Sequence, residues 1–294
     1  MTHIELEKIN NFTNFLEEEG KSKSTIINYK SDIKKVLGIM YKQKFDTKKA
    51  INKILSLNYS VNTLKRIKCS FNIFCDFIKK PEWKIKLKIN HFITFRMNII
   101  ENIHIKSILD KIDDEISSED DQTKKSKLYI EKISILLGSS LGLRVSEYKN
   151  LSFSGVFKNN VIEIKKGKHE SYRSLPIPET LQKSIKELHK ILKKMNISYS
   201  DNIFEKSNGK MITTRTFSRW LKKWALLSKV PGDIAKTHSL RHRFAHNYLE
   251  SNTDDLISLK NILGHNSIDT TSLYLVPSQK KLQKNINKAC FFCN

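Results

Sequence analysis

The chain has 294 residues, with 53 Lys plus Arg against 30 Asp plus Glu and a formal charge of +23. It holds four cysteines, a charged start without an apolar signal core and no run near the ~18–20 apolar residues of a membrane span. These features exclude a disulfide scaffold and a membrane protein, predict a cytoplasmic location, and point the charge at a polyanion such as nucleic acid, whose neutralised phosphates release counterions.

The first hundred residues read as a small basic helical domain. Phe12, Phe15 and Leu16 share one helical face before Gly20. Ser22 or Ser24 caps a second helix with Ile26, Ile27, Tyr29, Ile33, Val36 and Leu37. Val61 to Ile78 repeats the pattern, and Pro81 ends it. Residues from about 80 to 105, with Lys84, Lys86 and Lys88, read as an extended junction. The expected division is 1–100 for this domain and 101–294 for a second one with a C-terminal tail.

In the second part, the acidic stretch Asp113 to Gln122 reads as a solvated loop. Tyr129 to Leu143 is an apolar helix ending near Gly142. Val161 to Ile164 and Arg173 to Ile177 are strand-like, with Lys165 to Tyr172 as the turn. Helices are expected from Pro178 to the end. Trp220 and Trp224, at i and i+4, read as core, and Lys222 and Lys223 beside them as phosphate contacts. Both parts are basic, so both can touch a polyanion.

Four stretches carry candidate chemistry: Leu141-Gly-Leu-Arg144-Val-Ser-Glu147, Ile164-Lys-Lys166-Gly167-Lys168, His238-Ser-Leu-Arg241-His242, and Leu263-Gly264-His265 with Tyr274 downstream. His238, Arg241 and His242 fall on one helical face, and His246 extends it. Imidazoles at i and i+4 can chelate zinc, but Arg241 in the same patch repels a cation, so the face suits an anion or plain solvent exposure. Taken singly, Arg144 with Glu147 is a surface i, i+3 ion pair, Lys166 a solvated turn residue and Gly264-His265 a helix stop. Arginine is scarce here, eight of 53 basic residues, and it grips phosphate bidentately where lysine supplies only a diffuse field. Together, two Arg, a Lys, two or three His and a late Tyr fit metal-free transfer at a phosphodiester. Tyr is then the nucleophile, Arg the oxygen grip, His the proton carrier and Lys the general acid. Tyr148 and Tyr248 read as packing residues, and Cys290 with Cys293 lacks the two further ligands that zinc needs.

These motifs, in this order, resemble the tyrosine recombinase (phage integrase) family, with Xer-type enzymes the most similar. Arg144 with Glu147 matches its Gly-Leu-Arg-x-Ser-Glu context, and Lys166 its hairpin lysine, with Lys165 and Lys168 as adjacent candidates. Arg173 to Pro176 matches an Arg-x-x-Pro strand, and His238 to His242 the His-x-Leu-Arg-His box. Leu263 to Tyr274, with Thr270 and Thr271, matches Leu-Gly-His, Thr-Thr and nucleophile. Ser22, Thr25 and Tyr29 match a pattern that opens a helix of the core-binding domain. The sequence departs at Leu141, where many relatives have Thr, and at Lys165, where Gly is more usual.

The resemblance implies a mainly α fold: an N-terminal helical core-binding domain and a mostly helical catalytic domain carrying a small antiparallel sheet. It implies catalytic roles for Arg144, Lys166, His238, Arg241, His265 and Tyr274, with no cofactor and no metal. The implied partner is duplex DNA bearing a recombination site. It also implies a homotetramer that holds two such sites, with the tail after Tyr274 docked on a neighbouring protomer. The two other readings are a DNA-binding homologue that does not cut and a type IB topoisomerase-like enzyme.

Overall fold

Ser22 caps α2 (Lys23–Lys42) through the Thr25 N–H, which donates to its Oγ at 3.2 Å. Asp46 and Ser60 do the same for α3 (Thr47–Leu55) and α4 (Val61–Phe77), each cap contributing about 1 kcal/mol. The computed structural model describes residues 3–87, 100–164, 172–196, 199–206, 208–252, 255–265 and 271. It divides into two units, Met1–Phe95 and Arg96–Asn294.

In the first unit, α1 (His3–Glu18) and α2–α4 enclose a core that includes Phe12, Ile33, Phe71 and Phe74. The Phe12 and Phe74 rings meet edge to face at 5.4 Å. α4 ends at Phe77, and Pro81–Trp83 forms a single 3-10 turn. Arg66 reaches the buried Asp32 with two nitrogens, each at 3.0 Å. Burial pushes the Asp32 carboxyl up, against the pull of Arg66.

In the second unit, α6 (Gln122–Leu141) is the central helix, with α5 (Asn102–Ser118), α8 (Glu179–Lys194) and α10 (Thr237–Ser251) packed on it. Two expectations are corrected here. The stretch Asp113 to Gln122 is not a loop: α5 runs to Ser118, and Asp121 caps α6 by accepting from the Thr123 N–H at 2.7 Å. Asp113, Asp114 and Glu115 lie on α5 off its buried face, where Ile105, Ile108, Ile112 and Ile116 recur every turn. The expected junction of about 80 to 105 overlaps α5, which begins at Asn102, and residues 88–99 of it lie outside the described ones.

α7 (Phe153–Asn159) leads into β1 (Val161–Ile164), which pairs antiparallel with β2 (Arg173–Pro176), Ile164 opposite Arg173. This is the only sheet among the described residues, as the sequence predicts. Helix is not continuous after Pro178: between α8 and α9 (Thr214–Leu227) the chain makes isolated bridges, Ser152 with Asn202 and Glu205 with Met211. Trp224 is core, its Nε1–H donating to Glu131 Oε2 at 2.5 Å. Lys223 also pairs with Glu131, at 3.1 Å, and its side chain stays half exposed. α11 (Leu256–Leu263) completes the described elements. Among these residues no helix is long and apolar enough to cross a membrane.

Candidate active site

The site begins where α6 stops. Gly142 takes the left-handed conformation, φ 61°, and a Cβ there would lie 2.4 Å from Phe244. Glycine therefore lets α6 turn sharply against α10. The next turn, Val145–Asn150, is a 3-10 helix opened by Arg144. Glu147 folds back and accepts from the Arg144 N–H at 2.8 Å and from its Nη1 at 3.3 Å. This is not an exposed ion pair, because the Glu147 side chain is 8% exposed.

Arg241 approaches from α10, its side chain 3% exposed. Nη1 donates to the Gly142 carbonyl at 2.7 Å, and Nη2 to the Leu263 carbonyl at 2.8 Å. Arg144 donates to the same Leu263 carbonyl at 3.2 Å and to that of Gly264 at 3.3 Å. A shared acceptor thus holds two guanidiniums side by side, although the residues lie far apart in sequence. Gly264 ends α11 with φ 62°, which turns these carbonyls toward them.

His265 follows directly. Arg241 Nη2 lies 2.8 Å from His265 Nε2, and His265 Nδ1 lies 2.8 Å from the Thr271 hydroxyl. Arginine has no acceptor, so Nε2 accepts and Nδ1–H donates to Thr271, which fixes the tautomer. Thr271 is fully buried.

His238, His242 and His246 line α10 with Arg241, as their spacing predicts. Burial, then the Arg241 and Arg144 charges, push the His238 imidazole below its ordinary value. His242 is pushed from 6.5 to about 4 by burial, then by His238, His246 and Arg241. Burial and then Arg243 lower His246 as well. Neutral imidazoles beside fixed cations can donate to an anion or pass a proton without adding charge.

Glu147 is the hub that sequence reasoning missed. Besides Arg144, its Oε2 accepts from Arg173 Nη2 at 3.0 Å and lies 4.0 Å from Arg241 Nη1. One carboxylate facing three guanidiniums suits a further anion such as a phosphate. The available signal was phase: on β2, Arg173 alternates with Leu175 on the buried face, an unusual place for a charge unless it is paired. Thr271 gave no signal of its own beyond the Thr-Thr motif. Arg144, His238, Arg241 and His265 are brought together, while Lys166, with Lys165 and Lys168, and Tyr274, Thr270, Cys290 and Cys293 lie outside the described residues. Tyr148 is buried in the core, and the Tyr248 hydroxyl donates to Asp255 at 3.0 Å. Among the described residues no group of three or more His, Cys, Asp or Glu is placed to hold a metal ion.

Residues 84–281 match the phage integrase family. The chain is 27% identical over 290 residues to tyrosine recombinase XerA of Pyrococcus furiosus, covering 96% of this chain and 94% of that protein. It is 29% identical over 286 residues to XerA of Pyrococcus horikoshii, covering 95% and 92%. The solved structure of the Tn1549 transposon integrase in complex with transposon right-end DNA superposes with a TM-score of 0.65 at 17% identity, covering 96% of this chain and 98% of that one.

Proposed function

This chain belongs to the phage integrase family and is a tyrosine site-specific DNA recombinase similar to the Xer enzymes, and we propose that Tyr274 is its nucleophile, served by Arg144, Lys166, His238, Arg241 and His265. Duplex DNA is the partner. The Tn1549 integrase, of the same fold, was solved in complex with transposon DNA, and +23 of formal charge suits a polyanion.

The observation that carries the proposal is the junction of Arg144 and Arg241 at the Leu263 carbonyl, one residue from Gly264 and two from His265. A diester phosphate gripped there has its non-bridging oxygens neutralised by two guanidiniums. The Tyr274 phenolic oxygen attacks phosphorus, and the bond to the 5′ oxygen of the next nucleotide breaks. Lys166 protonates that leaving oxygen, and His238 accepts the phenolic proton. A 3′-phosphotyrosyl bond and a free 5′-hydroxyl result. Attack by a 5′-hydroxyl reverses the step and frees Tyr274. One ester replaces another, so the exchange needs no external energy source. A phenol with a reference pKa near 10 is a weak nucleophile at neutral pH, and the cation cluster favours its phenolate.

Four protomers on two sites, cutting in alternating pairs, is the assembly that completes the reading. The test is incubation with a nicked suicide site from the neighbouring DNA. Wild type leaves a covalent protein–DNA adduct and Tyr274→Phe leaves none. Binding without any adduct would favour the silent homologue. Relaxation of supercoiled DNA that lacks the site would favour the topoisomerase-like enzyme.

A further inference from the structure

Arg173 sits on β2 with its side chain 8% exposed, yet among the described residues only Nη2 finds a partner, Glu147 Oε2 at 3.0 Å. Its Nε and Nη1 are buried with no hydrogen-bond partner. A lysine would make the same single ion pair and bury fewer spare N–H groups, so pairing with Glu147 does not explain an arginine. The explanation lies on the guanidinium's other side. A Cβ at Gly264 would fall 2.3 Å from Arg173 Nη1 and 2.9 Å from Cζ, so the planar fork lies directly against the Gly264 backbone. Gly264 is the residue whose carbonyl receives both Arg144 Nη atoms at 3.3 Å and which precedes His265.

We propose that Arg173 is a positioning residue for strand cleavage: its fork wedges between Glu147 and the Gly264 turn and sets where Arg144 and His265 meet the phosphate. Its part is played through Glu147 and Gly264. Through Glu147 it fixes the carboxylate that aims Arg144, and through Gly264 it fixes the carbonyl that holds the Arg144 head and the chain entering His265. Lysine at this position keeps the charge and loses the width. The proposal rests on the recombinase reading above.

The experiment compares full-length wild type and Arg173→Lys on a suicide duplex carrying either an ordinary phosphate or an uncharged methylphosphonate at the scissile position. A displaced oxygen grip slows reaction at the charged diester most, because the uncharged one needs less neutralisation. Arg173→Lys is expected to bind the duplex as wild type does and to form adduct about 100-fold more slowly on phosphate, the penalty of a misplacement near 1 Å. On methylphosphonate the gap should shrink to about tenfold or less. An equal gap on both substrates, or an unchanged rate on phosphate, would overturn the proposal and leave Arg173 a stability residue. If Arg173→Lys does not fold, Gly264→Ala, which presses a methyl onto the same fork, is scored in the same way. A wild type that forms no adduct on the phosphate duplex would instead sink the recombinase reading, and the positioning role with it.

Discussion

Arg241 Nη2 and His265 Nε2 meet at 2.8 Å, and the other nitrogen of the same ring meets Thr271 Oγ1 at 2.8 Å. The ring is therefore held at both ends, by a group that can only donate and by a hydroxyl that accepts. A catalytic imidazole needs this kind of fixed orientation, and the group that supplies it is a buried threonine rather than a carboxylate.

Thr271→Val keeps the shape of the buried side chain and removes the Nδ1–H acceptor. Adduct formation should fall by roughly 10–100-fold, the usual cost of losing an orienting partner, while the duplex dissociation constant stays put. A Val variant as fast as wild type would show that Thr271 does not orient the ring.

Arg241→Lys should cost stability as well as cleavage. Arg241 serves the Gly142 and Leu263 carbonyls with two different nitrogens, and a single ammonium cannot reach both. One buried carbonyl left without its partner costs about 1–3 kcal/mol, readable as a lower urea midpoint. An unchanged midpoint would contradict the contacts.

His242 makes the fold sensitive to acid. In the native state its imidazole is held from 6.5 down to about 4, so below pH 6.5 the unfolded chain binds a proton that the native chain refuses. This contribution to stability is complete above about pH 6.5. It is lost as pH falls toward 4, on the order of 2 kcal/mol once partial exposure is allowed for. Urea titrations at pH 7.5 and 5 should show a flatter pH dependence for His242→Gln than for wild type. Parallel losses in the two proteins would remove His242 as the cause.

Tyr148 is the control tyrosine. Among the described residues its hydroxyl is buried without a hydrogen-bond partner, and burial raises its pKa, so it has no route to a phenolate. Tyr148→Phe should leave adduct formation intact. It should be neutral or stabilising by up to about 1 kcal/mol, since no bond is lost and an unpaired polar group is removed. A clear loss of stability would reveal a partner for that oxygen.

The readable parts of this sequence are those where short-range chemistry decides the outcome. Ser22 opens α2, Gly142 and Gly264 close helices, and β1 and β2 fall where β-branched and apolar residues flank a polar stretch of sequence. Asp113 to Ser118 misled because its charges outweighed a four-residue isoleucine period whose burying surface comes from elsewhere in the chain. In the site, the shared face of His238, Arg241 and His242 follows from helical spacing alone. The pairing of Glu147 with Arg173 spans 26 residues and depends on how β2 packs, so no local pattern announces it. The wedge of Arg173 under Gly264 is a matter of space, which the sequence encodes only as the absence of a side chain at residue 264.

The central claim is that the phenol of Tyr274 takes the DNA strand, and the most direct measurement is to digest the covalent adduct and sequence the peptide left on the DNA. The account predicts a phosphotyrosyl linkage at Tyr274, with adduct yield falling when Arg144 is replaced. A linkage mapped to any other residue would contradict it.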